Sequence, residues 1–424
     1  MLDNLLFKIK KYIPRNLFSW VAPLYHYKMA LLGALFYRFP SRKLIVVAVT
    51  GTKGKSSVTE ILNAILEEAG YKTALTNTIR FKVGDESEDN LYKMSMPGRF
   101  FMQRFLRRAI KAGCKYAVIE MTSQGAEMYR HRFIDIDALI VTNIAPEHIE
   151  AHGSYENYLA AKLKIAQAVA RSPKRRNMII VNKEDKESHR FLAVDPVEKY
   201  EYSIENARPY TIGKQGVSFV YETQRIDSPL SGEFNIYNCL AAITFARTQG
   251  IEMTTIKNAL EKFSGIRGRV ERIEAGQDFS VIVDYAHTPD SLQKLYDVFQ
   301  NTRRICVLGN TGGGRDKWKR DEMAHITERS CDEIILTNED PYDDDPMEII
   351  NDMAKVMREK QPKIIVNRRE AIAYALSLAE AGDSVLITGK GTDPYIMGPD
   401  NTKIPWSDAR VAREELLKIN KNRP

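Results

Sequence analysis

The sequence predicts an α/β protein: a mostly parallel sheet with helices between its strands, followed by a second α/β region of the same kind. Three observations predict it. Continuous apolar runs of strand length recur along the chain and end in polar residues or glycine. The first of them, KLIVVAVT (43–50), feeds a Gly-rich turn and then a helix with Val58, Ile61, Leu62, Ile65, Leu66 and Ala69 at helical spacing, stopped by Gly70. A glycine cluster with a change of charge, GIRGRVERIEAG (265–276), interrupts the pattern before a second series of strands begins.

In chain order, residues 1–43 come first and carry the charge imbalance. The formal charge is +7, yet this segment holds Lys8, Lys10, Lys11, Arg15, Lys28, Arg38, Arg42 and Lys43 against Asp3, and the remainder balances. A local basic arm is a poor footprint for nucleic acid, so no nucleic-acid partner is expected. The apolar stretch LFSWVAPLYHYKMALLGALFYRF (17–39) is interrupted by Lys28. A membrane span needs about 20 apolar residues, and a central lysine costs roughly 2.5–3.5 kcal/mol, so spanning is disfavoured. The segment is expected to form short amphipathic helices that either pack on the protein or make peripheral contact with an anionic membrane surface, with Leu17, Phe18, Trp20, Leu31, Leu32 and Phe36 as the apolar residues.

The first α/β region continues with strands YAVIEM (116–121), ALIVTNI (138–144) and MIIVN (178–182). Beyond the glycine cluster the strands are FSVIVDYAH, RRICVLGN, EIILTNED, KIIVN and SVLITGKG. The expected domains are 1–43, 44–267 and 268–424. The apolar fraction of 44% can supply a core to each α/β domain. Cys114, Cys239, Cys306 and Cys331 are scattered without metal-ligand or disulfide spacing, which fits a reducing cytoplasm.

In open α/β sheets ligand groups gather beyond the carboxyl ends of strands. The stretch VVAVTGTKGKSSVTEIL (46–62) puts a phosphate loop there: Gly51, Thr52, Lys53, Gly54, Lys55, Ser56 and Ser57. Glycines let backbone N–H groups close on phosphate oxygens at a helix N-terminus. Lys55 is placed for the β/γ-phosphates and the Ser56 hydroxyl for Mg²⁺. Val49 stands where the common spacing has its first glycine.

Together with IEMTSQG, VTNIAPEHIEAHGSYENYLAAK, FNIYNCLAA and VIVDYAHTPDSL, in that order, this loop makes the chain resemble the Mur ligase family, most closely its MurE-type, UDP-N-acetylmuramoyl-tripeptide synthetase-like branch. The resemblance covers roughly residues 44–412. It implies a central P-loop ATPase-like domain with helices on both faces of its sheet and a C-terminal Rossmann-like domain. It also implies an ATP- and Mg²⁺-dependent ligase of peptidoglycan synthesis. ATP phosphorylates a carboxylate, and an amine attacks the acyl-phosphate to form an amide, with positioning and charge neutralisation carrying most of the catalysis.

The resemblance assigns residues in turn. Glu120 and His148 would ligate two Mg²⁺ ions, with Ser56; Glu147-His148 stands where the family has Asp-His. Lys162 matches the lysine that is carbamylated and so becomes a metal-binding carboxylate. Asn235 and Asn238 resemble the adenine-side asparagines. Asp284, His287 and Arg315 resemble residues that close on ATP. Ser95, Pro97 and Ser123 resemble contacts to a muropeptide-like carboxylate donor.

For the amino acid acceptor, LTNEDPYDDDP aligns on a motif that reads Asp-Asn-Pro-Arg in diaminopimelate-adding enzymes. Asp340 and Tyr342 fall inside it, Tyr342 where the arginine would be, and Asp343, Asp344 and Asp345 follow. A tyrosine supplies neither the fork nor the charge for a distal carboxylate. A lysine-like diamino acid is therefore expected. In GKGTDPY, Gly389 and Asp393 join this site, with Thr392-Asp393 where diaminopimelate enzymes have His-Glu. The 43 residues before the first strand are about half the N-terminal uridine-nucleotide domain usual in this branch, which leaves the donor's identity open. Alternatives are a folylpolyglutamate-like or cyanophycin-like ligase, or a non-catalytic nucleotide-dependent module at the membrane. The expected place is the cytoplasm, peripheral at the inner membrane face if residues 1–43 engage lipid.

Overall fold

The computed structural model of the protein describes residues 15–147, 149–314 and 317–422. His148 and Arg315, both expected at the site, lie outside the described residues. Two compact units divide the chain: one runs to Ser203 and includes Ala241–Glu252, the other takes Ile204–Leu240 and the chain from Met253.

The first unit is built on an eight-stranded sheet of order β4-β3-β2-β5-β1-β6-β7-β8. Its strands are β1 (Ile45–Thr50), β2 (Thr73–Thr76), β3 (Arg80–Val83), β4 (Glu86–Asp89), β5 (Tyr116–Glu120), β6 (Ala138–Val141), β7 (Met178–Asn182) and β8 (Glu198–Tyr202). All neighbours are parallel except the β2–β3 and β3–β4 pairs. β1 reads IVVAVT and is buried on both faces, the pattern of a central parallel strand. Its register pairs Val49 with Glu120 and Thr50 with Val141, so the carboxyl ends of β5, β1 and β6 lie side by side.

The hairpin β3–β4 is absent from the sequence reading. Its strands have four residues each, and β4 is wholly exposed ESED, without an apolar period to read. Arg108 meets Glu86 and Glu88 there at 3.1 and 3.4 Å.

The N-terminal segment departs from expectation. Among the described residues, from Arg15 on, a 22-residue helix, α1 (Arg15–Phe36), running through Pro23 and followed by a 3₁₀ turn Pro40–Lys43, stands in place of short helices. Its inner face is made of small residues: Ala30 and Ala34 are buried, and Gly33 lies against Phe100 of the helix Arg99–Lys111. Its outer face exposes Val21, Leu24, Leu32, Leu35 and Phe36, the last 73% accessible, with Lys28 between them. No described helix is long and apolar enough to cross a membrane.

The second unit carries an antiparallel meander, β9 (Tyr210–Gly213), β10 (Gly216–Tyr221) and β11 (Gln224–Ser228), and a six-stranded sheet of order β12-β13-β17-β14-β15-β16. Here β12 is Glu271–Arg272, β13 Ser280–Asp284, β14 Arg304–Leu308, β15 Glu333–Leu336, β16 Lys363–Ile364 and β17 Ser384–Thr388, all parallel except β12. The strands read from the sequence beyond residue 276 are those of this sheet. The cysteine reading needs correction: Cys306 and Cys331 form a disulfide, their Cα atoms 6.1 Å apart. The parallel pairing of β14 with β15 brings together two cysteines 25 residues apart, so cysteine usage does not point to a reducing compartment.

Candidate functional site

The carboxyl end of β1 turns through Gly51–Gly54 into the helix Lys55–Glu68. Gly54 takes the left-handed conformation at the helix start, where no side chain caps the first N–H groups. Unsatisfied donors at a helix N-terminus suit an anion. Gly51 has φ +147°, and a Cβ there would stand 1.9 Å from Thr142 Oγ1, so only glycine fits. The turn is clamped from β6: Thr52 N donates to Asn143 O at 2.7 Å and Lys53 N to Asn143 Oδ1 at 2.9 Å. Lys55 Nζ folds back on the carbonyls of Gly51 and Thr52 at 3.1 and 2.9 Å. Lys53 pairs with Glu147 at 2.8 Å, next to the undescribed His148.

At the end of β5, buried Glu120 collects four hydrogen bonds. Ser56 Oγ donates to Oε2 at 2.7 Å and Thr78 N at 3.0 Å; Thr78 Oγ1 and Ser95 Oγ donate to Oε1, both at 3.0 Å. The fold thus joins Ser56, Ser95 and Glu120, and adds Thr78, which sequence reasoning missed. A hydroxyl beside a carboxylate is an oxygen donor set suited to Mg²⁺. Among the described residues no cluster of three His, Cys, Asp or Glu side chains is shaped for a metal.

Lys162, on the helix Tyr155–Ala170, is fully buried and donates to Gly51 O at 2.7 Å. Burial first, and then the charge of Lys55, push its amine well below the ordinary lysine value, against the opposing pull of Glu147 and Glu120. Its Nζ also sits 4.7 Å over the ring of Tyr158, whose hydroxyl meets Thr52 Oγ1 at 2.7 Å. Tyr158 is a second residue absent from the sequence reading; inside YENYLAAK it looks like ordinary helix packing.

Ser123 is buried in the first turn of the short helix Ser123–Glu127 that follows β5. Pro97 lies in the loop before the helix Arg99–Lys111. This loop is tied down by Arg130, which donates to Met96 O, while Arg99 donates to Met128 O at 2.8 Å. Burial lowers the pKa of both arginines, with repulsion from Arg130 adding to the effect on Arg99. Buried Arg99 Nη2 and Arg130 Nε have no hydrogen-bond partner among the described residues. Two guanidinium groups without a carboxylate suit an anionic ligand. The signal available was the basic run YRHRF after TSQG.

The second unit holds the other expected residues. Asn238 Nδ2 donates to Asn235 Oδ1 at 2.9 Å, and Asn235 to Ser231 O at 2.8 Å, both within or just before the helix Glu233–Thr248. Asp284 accepts from Val270 N and Ala286 N at 2.6 and 2.7 Å; burial raises its carboxyl despite Arg269 and those two bonds. His287 Nδ1 donates to Tyr285 O at 2.6 Å.

Lys390, between Gly389 and Gly391, has no exposed surface and pairs with Asp340 at 2.7 Å and Asp393 at 3.3 Å. Beside Gly389 lies Glu339. Thr311 donates to its Oε1 at 2.8 Å, but its buried Oε2 has no hydrogen-bond partner among the described residues. A Cβ on Gly389 would come within 2.2 Å of that oxygen. Tyr342 sits at φ +53° with its N–H on Met397 O. Asp343, Asp344 and Asp345 each accept a backbone N–H, from Asp400, Gly313 and Met347, so the first two tie this turn to distant segments and the third caps the helix Pro346–Ala354.

A phosphate-type loop after the central strand of a mostly parallel sheet, with a carboxylate on the next strand, defines a P-loop ATPase-like enzyme fold. Known proteins narrow the class. Residues 49–246 match the family model described as Mur ligase middle domain, and residues 268–391 the model described as Mur ligase, glutamate ligase domain. The UDP-N-acetylmuramoyl-L-alanyl-D-glutamate--2,6-diaminopimelate ligase of Syntrophomonas wolfei is 36% identical over 404 residues, 92% of this chain and 81% of its own. The UDP-N-acetylmuramyl-tripeptide synthetase of Roseiflexus sp. is 34% identical, with 92% and 82% covered. Among solved structures, the Mycobacterium tuberculosis folylpolyglutamate synthase complexed with ADP has a TM-score of 0.69 over 86% of this chain and 92% of its own; at 16% identity it speaks for the fold alone. The chain belongs to the Mur ligase family of ATP-dependent, Mg²⁺-using ligases that form amide bonds. The resemblance read from its motifs is borne out.

The state of Lys162 has a measurable consequence for stability. An amine whose folded pKa lies below its unfolded value binds fewer protons folded than unfolded between the two, so stability rises with pH across that interval, up to the ordinary value of 10.5. In carbon-dioxide-free buffer, Lys162→Met should be more stable than the parent at neutral pH, by a margin that shrinks as pH rises toward 10.5. Urea midpoints across that range test this; a margin independent of pH would contradict it.

Proposed function

We propose that the protein joins a muropeptide-like carboxylate to a lysine-like diamino acid through an acyl-phosphate, in peptidoglycan synthesis. The observation that carries this reading is Lys162: a fully buried amine, pushed toward its neutral form, at the back of the phosphate loop. A lysine there that served only packing would cost more than an apolar residue. A neutral amine is a nucleophile toward carbon dioxide; its nitrogen bonds the carbon, a proton leaves, and the cation becomes a carbamate anion. With Ser56 and Glu120, and His148 by family resemblance, that anion completes an oxygen-rich set for two Mg²⁺ ions, which when bound neutralise charge on the transferred phosphoryl group. Lys55 and the backbone N–H groups at the start of the helix Lys55–Glu68 hold the phosphates. Asn235, Asn238, Asp284, His287 and Arg315 serve the nucleotide.

On the donor side, Ser95, Pro97 and Ser123 lie on segments that also carry Arg99 and Arg130, and this arginine pair takes an anionic group of the donor. On the acceptor side, Asp340 and Asp393 are already engaged with Lys390, while Glu339 Oε2 is left for a cation. Tyr342 in place of arginine removes the partner of a distal carboxylate. The second reading, diaminopimelate, is favoured by the names of relatives such as the Syntrophomonas enzyme. The protein works in the cytoplasm. Peripheral attachment belongs to the same reading, because the outer face of the N-terminal helix is apolar and residues 1–43 hold the net positive charge.

Lys162→Ala should abolish ADP release coupled to ligation, and added short carboxylates should restore part of it by occupying the vacated space. Ligation at the parental rate without additives would refute the carbamate. For the acceptor, losing a charge-assisted pair to a carboxylate costs about 1.5–3 kcal/mol, roughly a 10- to 150-fold effect. L-lysine should therefore show a higher kcat/KM than meso-diaminopimelate, and product mass with both amines decides. Finally, the full-length protein should co-sediment with anionic vesicles less as salt rises. A quadruple Val21→Ser, Leu24→Ser, Leu32→Ser, Leu35→Ser variant should lose that binding; equal binding by parent and variant would remove the helix from the account.

A further inference from the structure

Ser123 does not stand alone. Its Oγ lies 3.0 Å from His152 Nε2, and His152 Nδ1 lies 3.2 Å from Glu127 Oε1, off the line of a hydrogen bond but within ion-pair reach. The histidine side chain has no exposed surface, and the glutamate is half-exposed. His152 ends the short helix Ile149–His152, and its carbonyl is held by Asn157 Nδ2 at 2.9 Å. Its ring meets that of Tyr158 edge-on, centroids 5.4 Å apart, and Tyr158 in turn holds Thr52 of the phosphate loop.

We propose that His152, steered by Glu127, is a positioning residue that fixes the Ser123 hydroxyl so that its oxygen lone pairs face the donor peptide. The inference rests on the reading of Ser123 as a donor contact. A carboxylate beside Nδ1 favours the tautomer with its proton there. Nε2 is then an acceptor, the Ser123 O–H donates to it, and the serine oxygen is left to accept from a ligand N–H or O–H. Burying an imidazole is costly unless its ring nitrogens are used. The arrangement also fixes the donor contact relative to the phosphate loop through Tyr158 and Thr52, so that binding the donor and placing its carboxylate are one geometric event.

The test is steady-state kinetics of the full-length enzyme with a muropeptide donor. A hydrogen bond of ordinary strength predicts that Ser123→Ala and His152→Ala each raise the donor KM about threefold to tenfold, with ATP KM and kcat within about twofold. The double variant should be no worse than Ser123→Ala, because the histidine acts through the serine. His152→Gln, whose amide oxygen can reach the position of Nε2, should recover most of the loss. Glu127→Gln, a milder change on a half-exposed residue, should move donor KM in the same direction and keeps the test open should His152→Ala fail to fold. If Ser123→Ala raises donor KM while His152→Ala and Glu127→Gln do not, the positioning role falls and the serine contact stands. If Ser123→Ala leaves donor KM unchanged, both fall. Additive losses in the double variant would also overturn the proposal.

Discussion

The carboxylate of Glu120 is the fixed point of the first unit. It is buried at the end of β5 and accepts from Ser56, from the backbone and side chain of Thr78, and from Ser95. A buried carboxylate is tolerable only when donors surround it. Here those donors come from three chain segments: the helix after the phosphate loop, the turn between β2 and β3, and the loop that leads to Pro97. The strand that carries Glu120 is also hydrogen-bonded to β1, whose end is the phosphate loop. One charge therefore ties the phosphate loop's helix, the β2–β3 turn and the loop leading to Pro97 to one point.

What could be read in the sequence follows from which forces leave a local trace. The central strands are apolar runs buried on both faces, and the helix Lys55–Glu68 repeats its apolar residues at helical spacing, so both were legible. Gly51 and Gly54 were legible because turn conformation and close approach demand glycine. The β9–β11 meander alternates weakly, with Val217, Phe219 and Ile226 buried among polar neighbours, and it passed unread. Thr78, Tyr158, Arg130 and Glu339 matter through tertiary neighbours, for which a single chain carries no period. The aspartates after Tyr342 also have structural partners that the sequence does not show: Asp343 and Asp344 accept backbone N–H groups from distant segments, at Asp400 and Gly313, and Asp345 caps the helix that follows it. Cys306 and Cys331 were separated by 25 residues and joined only by strand pairing.

In the second unit, buried charges are paired around Glu339, whose Oε2 has no hydrogen-bond partner among the described residues. Arg368 is buried against Asp408 and also donates to Thr388 O, and Lys390 is buried between Asp340 and Asp393. Such pairs gain little net stability but tolerate no substitution of one partner, because the other would be left as a bare buried charge. They make a stiff frame around Glu339.

The N-terminal helix presents two apolar faces that obey different rules. Ala30 and Ala34 are buried, and a Cβ on Gly33 would already be in van der Waals contact with Phe100, so this side leaves little room for larger side chains. Val21, Leu24, Leu32 and Leu35 are exposed, and Phe36, though 73% accessible, keeps its ring centroid 6.5 Å from that of Phe100. Over generations the inner face should keep its size and the outer face only its greasiness, so that two sequences sharing this helix would agree at every third or fourth position and differ freely between.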